Sequence, residues 1–310
     1  VLDGLKDGPL LVLDSGNALF GAAGVSDQPM RERARFILDV MGRLGTRAMA
    51  VGVRDLSGGI DFLKEASAAS GVKLLSANLK KDGKPVFDAT ATFTVGGVTV
   101  GVVGLTAPGP VPDLPGVSVE PTLPAAKAAL KTLGIKDVTI LLAATPYADA
   151  LQLAQELKSQ VDFVIQSGEF RGTQPPQRIE GGKAYVLASA QRGQALSKLE
   201  LDLGPGAGAF VDLSAIERDK QQLAFVDTQI KTLDDRIAVA KDPAGTKDLK
   251  ATRELLRERR KALQRTIDQQ VPPKAKTMKQ TWIILGADVR DDEAIKAEVL
   301  KYEPTYSGAH

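Results

Sequence analysis

The sequence predicts an α/β domain over residues 1–203 followed by a helical hairpin. Three observations carry that reading. Near the start, short apolar runs alternate with amphipathic stretches in a βαβαβ order, which argues for a parallel or mixed sheet covered by helices. Gly96-Gly97 sits between two apolar runs as a two-residue connection, so antiparallel pairing is expected inside the same core. Beyond the glycine-rich residues 204–208 the apolar spacing changes to seven.

In order, residues 10–14 read as a short strand broken by Ser15-Gly16-Asn17. Asp27 and Pro29 announce a helix over about 30–44, with Phe36, Ile37, Val40, Met41 and Leu44 on one face and Gly45 as its stop. Residues 48–57 form a buried strand running into a glycine turn. That places Arg54 and Asp55 at a carboxyl strand end, where open α/β sheets put ligand sites. A helix over about 59–70 stops at Gly71, and residues 73–76 are the next strand. Residues 89–95 and 98–105 form the hairpin, and 107–124 a proline-rich loop. An alanine-rich helix then stops at Gly134. Strands at 138–143 and 161–166 flank a helix at 147–157, and strands at 183–189 and 197–203 close the domain as two sheets or one strongly folded mixed sheet.

In the last third, Ile216, Leu223, Ile230 and Ile237 recur every seven residues, with Val226, Leu233 and Ala240 three positions after the last three. After a break at residues 242–245, Leu249, Leu256 and Leu263 keep the period, and Pro272-Pro273 ends it. This is an antiparallel hairpin over 214–270, and the interleaved Arg/Glu run 253–261 is its solvated outer face rather than a nucleic-acid helix. Residues 281–285 form a strand returning to the main sheet, and Asp291 caps a final helix ending near Tyr302. The domains expected are therefore 1–203, 204–273 and 274–310.

Composition narrows the chemistry. Forty basic and 38 acidic residues leave a net charge of +2, so bulk attraction to nucleic acid is not expected, and no apolar run approaches membrane-span length. The chain has no Cys, and its single His is His310. Thiolate and imidazole nucleophiles, Ser-His-Asp triads and most zinc sites are thereby excluded from the interior. Ser15 and Ser189 lack a base, and neither Gly96-Gly97 nor residues 204–208 open a helix as a phosphate loop would.

Residues 11–17 (Leu-Val-Leu-Asp-Ser-Gly-Asn), 51–55 (Val-Gly-Val-Arg-Asp), 74–79 (Leu-Leu-Ser-Ala-Asn-Leu) and 97–106 (Gly-Val-Thr-Val-Gly-Val-Val-Gly-Leu-Thr) resemble the calcineurin-like metallophosphoesterases, in their 5'-nucleotidase and cyclic-phosphodiesterase branch. The likeness continues through 138–144, 162–168 and 186–203. It implies a four-layer αββα sandwich with two divalent metals at the carboxyl ends of core strands, and a secreted or periplasmic location. The positions that carry the family's chemistry depart from it. The family's bridging Asp is matched by Asn17, and its ligand Asn and catalytic His by Val53 and Arg54, beside Asp55. A strand-ending His falls at Ala144, and its Gly-His-x-His becomes Gly168-Glu169-Phe170-Arg171. Such hydrolysis needs cations to activate water and neutralise phosphoryl oxygens. The resemblance therefore implies a vacated site with no metal or cofactor held by this chain.

Three readings follow. The favoured one is a catalytically inactive scaffold or interaction domain whose 214–270 hairpin docks a protein partner or a second copy, with Arg54, Asp55, Glu169 and Arg171 pairing to plug the site. In the second, Arg54 and Arg171 replace metal charge and bind an anion or phosphate ester. The third is a metal-dependent hydrolase using Asp14, Asn17, Asp55 and Glu169 as its ligands. A chain beginning at Val1 reads as processed or trimmed, and the family's Asp-x-His motif would lie upstream. Residues 306–310 (Tyr-Ser-Gly-Ala-His) resemble the lead-in to the haem motifs of multihaem cytochromes, so a haem-bearing module is expected to follow.

Overall fold

The computed structural model describes residues 3–5, 8–109, 111, 114–190, 193–206, 208–269 and 274–305. The chain divides into one unit of residues 1–197 with 282–310 and another of 198–281.

The first unit begins β1 (Val12–Asp14), α1 (Gln28–Arg43), β2 (Thr46–Ala50), α2 (Ile60–Ser70) and β3 (Lys73–Leu75), and the three strands form a parallel sheet in the order β1-β2-β3. Asp27 caps α1 by accepting from the Met30 N–H at 2.8 Å, with Pro29 in the first turn. Next come β4 (Leu79–Lys81), β5 (Lys84–Pro85), β6 (Thr90–Val95), β7 (Val98–Thr106) and β8 (Val117–Val119), of which β5-β4-β8 form a small antiparallel sheet. Then follow α3 (Thr122–Leu133), β9 (Val138–Ala144), α4 (Tyr147–Glu156), β10 (Phe163–Phe170), β11 (Gln177–Arg178) and β12 (Tyr185–Ser189). The main sheet runs β11-β12-β10-β9-β7-β6, parallel inside and antiparallel at both edges. Gly96 and Gly97 both have positive φ, 57° and 81°, the primed turn that the β6–β7 hairpin needs.

Strand alternation fixes the layers. On the small parallel sheet, Met49, Val51 and Leu74 pack with Leu38, Leu63 and Ala66 of α1 and α2. On the main sheet, Val103, Leu105, Leu141 and Ala143 pack with Ala126, Leu130 and Leu153 of α3 and α4. The residues between them, Ala48, Ala50 and Leu75 on one sheet and Val102, Ile140 and Leu142 on the other, are also buried, so the two sheets cover each other. A hydrogen bond from Thr106 Oγ1 to the Val51 carbonyl, 2.7 Å, joins them. The result is an αββα sandwich of two distinct sheets.

The second unit holds the helices α5 (Leu213–Val239) and α6 (Pro243–Gln269), the strand β14 (Val211–Asp212) and most of β13 (Ala195–Asp202) and β15 (Thr277–Ile284), whose sheet runs β13-β15-β14. Asp212 caps α5 through the Ser214 N–H, and Ser214 and Gln280 exchange hydrogen bonds at 2.9 and 3.0 Å. The hairpin follows the heptads as far as Ile237, whereas Ala240 is exposed beyond the helix end. The last helix, α7 (Glu293–Tyr302), lies on α1. Tyr302 stacks on Phe36 at 4.9 Å, the Arg43 guanidinium grips Glu298 at 2.8 and 3.2 Å, and Arg33 pairs with Glu303 at 2.6 Å.

Several expectations are corrected. β15 pairs with β13 and β14 rather than with the main sheet, because the polar-alternating run 277–284 suits a small half-buried sheet. Asp292, not Asp291, caps α7, accepting from the N–H groups of Ala294 and Ile295. The stretch 107–124 holds β8 and the start of α3. Pro272-Pro273 and residues 306–310 lie outside the described residues.

Candidate functional site

The four segments expected to form a site end together, at the carboxyl termini of β1, β2, β9 and β10. The loop after β1 is held in an unusual shape, with Gly16 at φ 90° and Asn17 at φ 62°. Asparagine tolerates that left-handed region better than most residues. A Cβ on Gly52 would lie 2.3 Å from the Asn17 side chain, so the β2 loop must offer bare backbone there.

Asp55 closes the two loops onto each other. It is fully buried, and its Oδ2 accepts from the N–H groups of Asn17 at 2.7 Å and Gly52 at 2.8 Å, while Oδ1 accepts from Leu19 at 2.9 Å. Burial pushes the Asp55 pKa up; the three N–H bonds and the neighbouring Arg54 guanidinium pull it back. The Arg54 guanidinium donates to the Asn17 carbonyl at 2.8 Å, and the Arg54 N–H to Asn17 Oδ1 at 3.2 Å. Asn17 Nδ2 in turn reaches the Ser167 carbonyl at 3.4 Å, and the Ser167 hydroxyl donates to the Ser15 carbonyl. An aspartate at position 17 would set a carboxylate against that Ser167 carbonyl.

The expected plug is thus only half an ion-pair arrangement. Glu169 and Arg171 do pair, at 3.4 Å, and the Arg171 guanidinium lies 4.6 Å from the centre of the Tyr147 ring. Glu169 also accepts from the Tyr147 N–H at 3.2 Å. Asp55, in contrast, does not face the cleft beside Arg54; it is turned inward, because backbone donors satisfy a buried carboxylate more completely than one guanidinium at a rim. Val53 and Ala144 bring no polar side-chain atom. Asp14, partly exposed, accepts from the Gly16 N–H at 2.7 Å, and its pKa is raised to about 6, chiefly by burial and further by the Asp55 carboxylate.

Sequence reasoning missed Gln166, Ser167 and Tyr147. Gln166 is fully buried, donates to the carbonyls of Thr145 and Glu169 at 3.0 and 3.1 Å, and leaves Oε1 without a partner among the described residues. A lone amide in the apolar run Phe-Val-Ile-Gln was the available signal.

The donor set can be tested against a two-cation centre, which needs several anionic or neutral ligands converging on each ion. Both Asp55 oxygens accept backbone N–H bonds, the Asn17 amide is engaged with Arg54 and Ser167, Ala144 and Val53 offer no polar side-chain atom, Glu169 is taken up by Arg171 and the Tyr147 N–H, and Asp14 is bonded to the Gly16 N–H. Among the described residues no three His, Cys, Asp or Glu side chains gather where they could hold a metal ion. The residues present do not fit the two metals that the resemblance implies.

No protein-family model and no curated protein sequence matches the chain. Solved structures do. A 5'-nucleotidase precursor from Thermus thermophilus superposes with a TM-score of 0.55 at 23% identity, over 65% of this chain and 44% of that one. The fold is that of the calcineurin-like metallophosphoesterases. The sulfate thiohydrolase SoxB of Thermus thermophilus has the same TM-score, 0.55, at 21% identity over 64% of this chain and 37% of its own. The calcineurin-like phosphoesterase YfkN from Bacillus subtilis gives 0.51 at 19% identity over 64% and 73%. The chain therefore spans less than half the length of the nucleotidase and SoxB structures. Within this metallophosphoesterase fold, the strand ends just described are where the sequence resemblance places the family's metal centre.

Proposed function

We propose that this chain is a metallophosphoesterase-fold domain without phosphoester hydrolase activity, serving as an extracytoplasmic scaffold or interaction domain with the α5–α6 hairpin as its docking arm. One observation supports the reading: at the strand ends where the resemblance puts the family's metals, Asp55 is taken up by three backbone N–H groups and Asn17 by Arg54 and the Ser167 carbonyl. The extracytoplasmic location, and a c-type cytochrome module as neighbour, rest on the sequence resemblance.

The test is a phosphodiesterase and nucleotidase assay with added manganese. No turnover above metal alone is expected. Turnover that disappears in Asp14→Ala would establish a hydrolase with unusual ligands instead. A second reading, an anion held by Arg54 and Arg171, draws on the Arg171 guanidinium being tied, among the described residues, by a 3.4 Å contact to Glu169 and by the Tyr147 ring face. Sulfate and nucleotide should leave the melting temperature unchanged; a rise abolished by Arg171→Ala would favour anion binding.

A further inference from the structure

The hairpin is closed along one edge and open along the other. Asp227 pairs with Arg260 at 2.6 Å and Asp234 with Arg253 at 2.9 Å, sealing one side of the seam. Along the seam, Leu223, Ile230 and Leu233 of α5 and Leu249, Leu256 and Leu263 of α6 are half-buried.

On the unsealed side of α6, residues 248, 252, 255, 259, 262 and 266 succeed one another at spacings of four and three, a second heptad stripe turned away from the seam. It reads Asp-Thr-Leu-Arg-Ala-Thr. Leu255 is 74% exposed at its centre. Asp248 and Arg259, three turns apart at about 3.6 residues per turn, are both exposed, and among the described residues neither makes an ion pair. A stripe with a free acid at one end, a free base at the other and an uncovered leucine between them complements its own reversed copy. Laid antiparallel across a two-fold axis, Asp248 of each copy meets Arg259 of the other, and each Leu255 sits against Thr252 of the other.

We propose that this stripe of α6 is a self-association surface and that its occupant is the α6 of a second copy, in an isologous antiparallel pair. One helix pair is a small interface, so the association is weak, with dissociation constants of order 10–100 μM. The proposal names the partner of the docking arm and rests on the scaffold reading only for its purpose.

The experiment is sedimentation equilibrium of the full chain from about 1 to 500 μM at low salt, where such an equilibrium is visible. Dimer should accumulate with concentration. Leu255→Glu should abolish it, Arg259→Glu should weaken it about tenfold, and Asp248→Arg combined with Arg259→Glu should restore it. All three sites are exposed, and an unchanged circular dichroism spectrum certifies the fold of each variant. A chain that stays monomeric at 500 μM overturns the proposal, as does a charge swap that fails to recover the dimer. Phosphoester turnover in the same samples would overturn the scaffold reading and leave the association as measured.

Discussion

Replacing Asp55 with asparagine tests whether the buried carboxylate is there to hold two loops rather than to do chemistry. Oδ2 receives two N–H donors and Oδ1 one, at 2.7, 2.8 and 2.9 Å. An asparagine best turns its oxygen to the pair, which sets its own amide against the Leu19 N–H and strands that donor at a cost of about 1–3 kcal/mol. The two surviving bonds lose charge assistance, about 1 kcal/mol each. Burial of a charge works the other way, since it raises the Asp55 pKa and a neutral side chain escapes that penalty. The relief offsets the weakened bonds, as the raised pKa indicates, and leaves the stranded Leu19 N–H as the net loss, about 1–3 kcal/mol or about 2–12 °C in melting temperature for a unit of this size. Thermal and urea unfolding at pH 7 read it out. A variant within about 1 °C of the parent, or a more stable one, would refute the reasoning and mean that the carboxylate is kept for its charge.

Three further outcomes are expected. Asp14 has a folded pKa of about 6 against 3.8 as the ordinary value, so the folded state holds the extra proton between those pH values and stability falls as pH rises through about 4 to 6. Asp14→Asn should flatten that slope and gain about 1–3 kcal/mol at pH 7, the lower end being favoured because the carboxylate keeps partial solvent access; an unchanged pH profile in urea melts would contradict this. Gly52→Ala drives a methyl into the Asn17 amide and should cost about 2 kcal/mol, measured by the same melts. Tyr302→Ala removes the stack on Phe36 and should speed amide exchange over 293–302 several-fold, as expected from about 1 kcal/mol, with the central strands unaffected.

Long, periodic elements were legible in the sequence. The heptads of α5 and α6, the capped α1 and the Gly96-Gly97 hairpin each carry a local signal that tertiary structure did not need to override. The strands β4, β5, β8 and β14 were not, because two or three residues show no period. At the site, sequence placed the strand ends correctly but read Asp55 as facing the cleft. A charged residue after a glycine turn ordinarily faces solvent, and nothing local announces that three N–H groups from two loops will converge on it. Gln166 was overlooked for the complementary reason, a polar side chain within a run judged by its apolar neighbours.

The grip of α7 on α1 makes the first unit discontinuous along the chain, with residues 198–281 an excursion between its two parts. During synthesis, the patch formed by Phe36 and Arg43 must wait until the whole excursion has been made before its partner appears. Completion of the sandwich is thus reported by the arrival of α7. Likewise, a protease cut in the exposed turn at 240–242 would leave the ends of the break joined through that clasp, so nicked chains should migrate as one species until denaturant releases them.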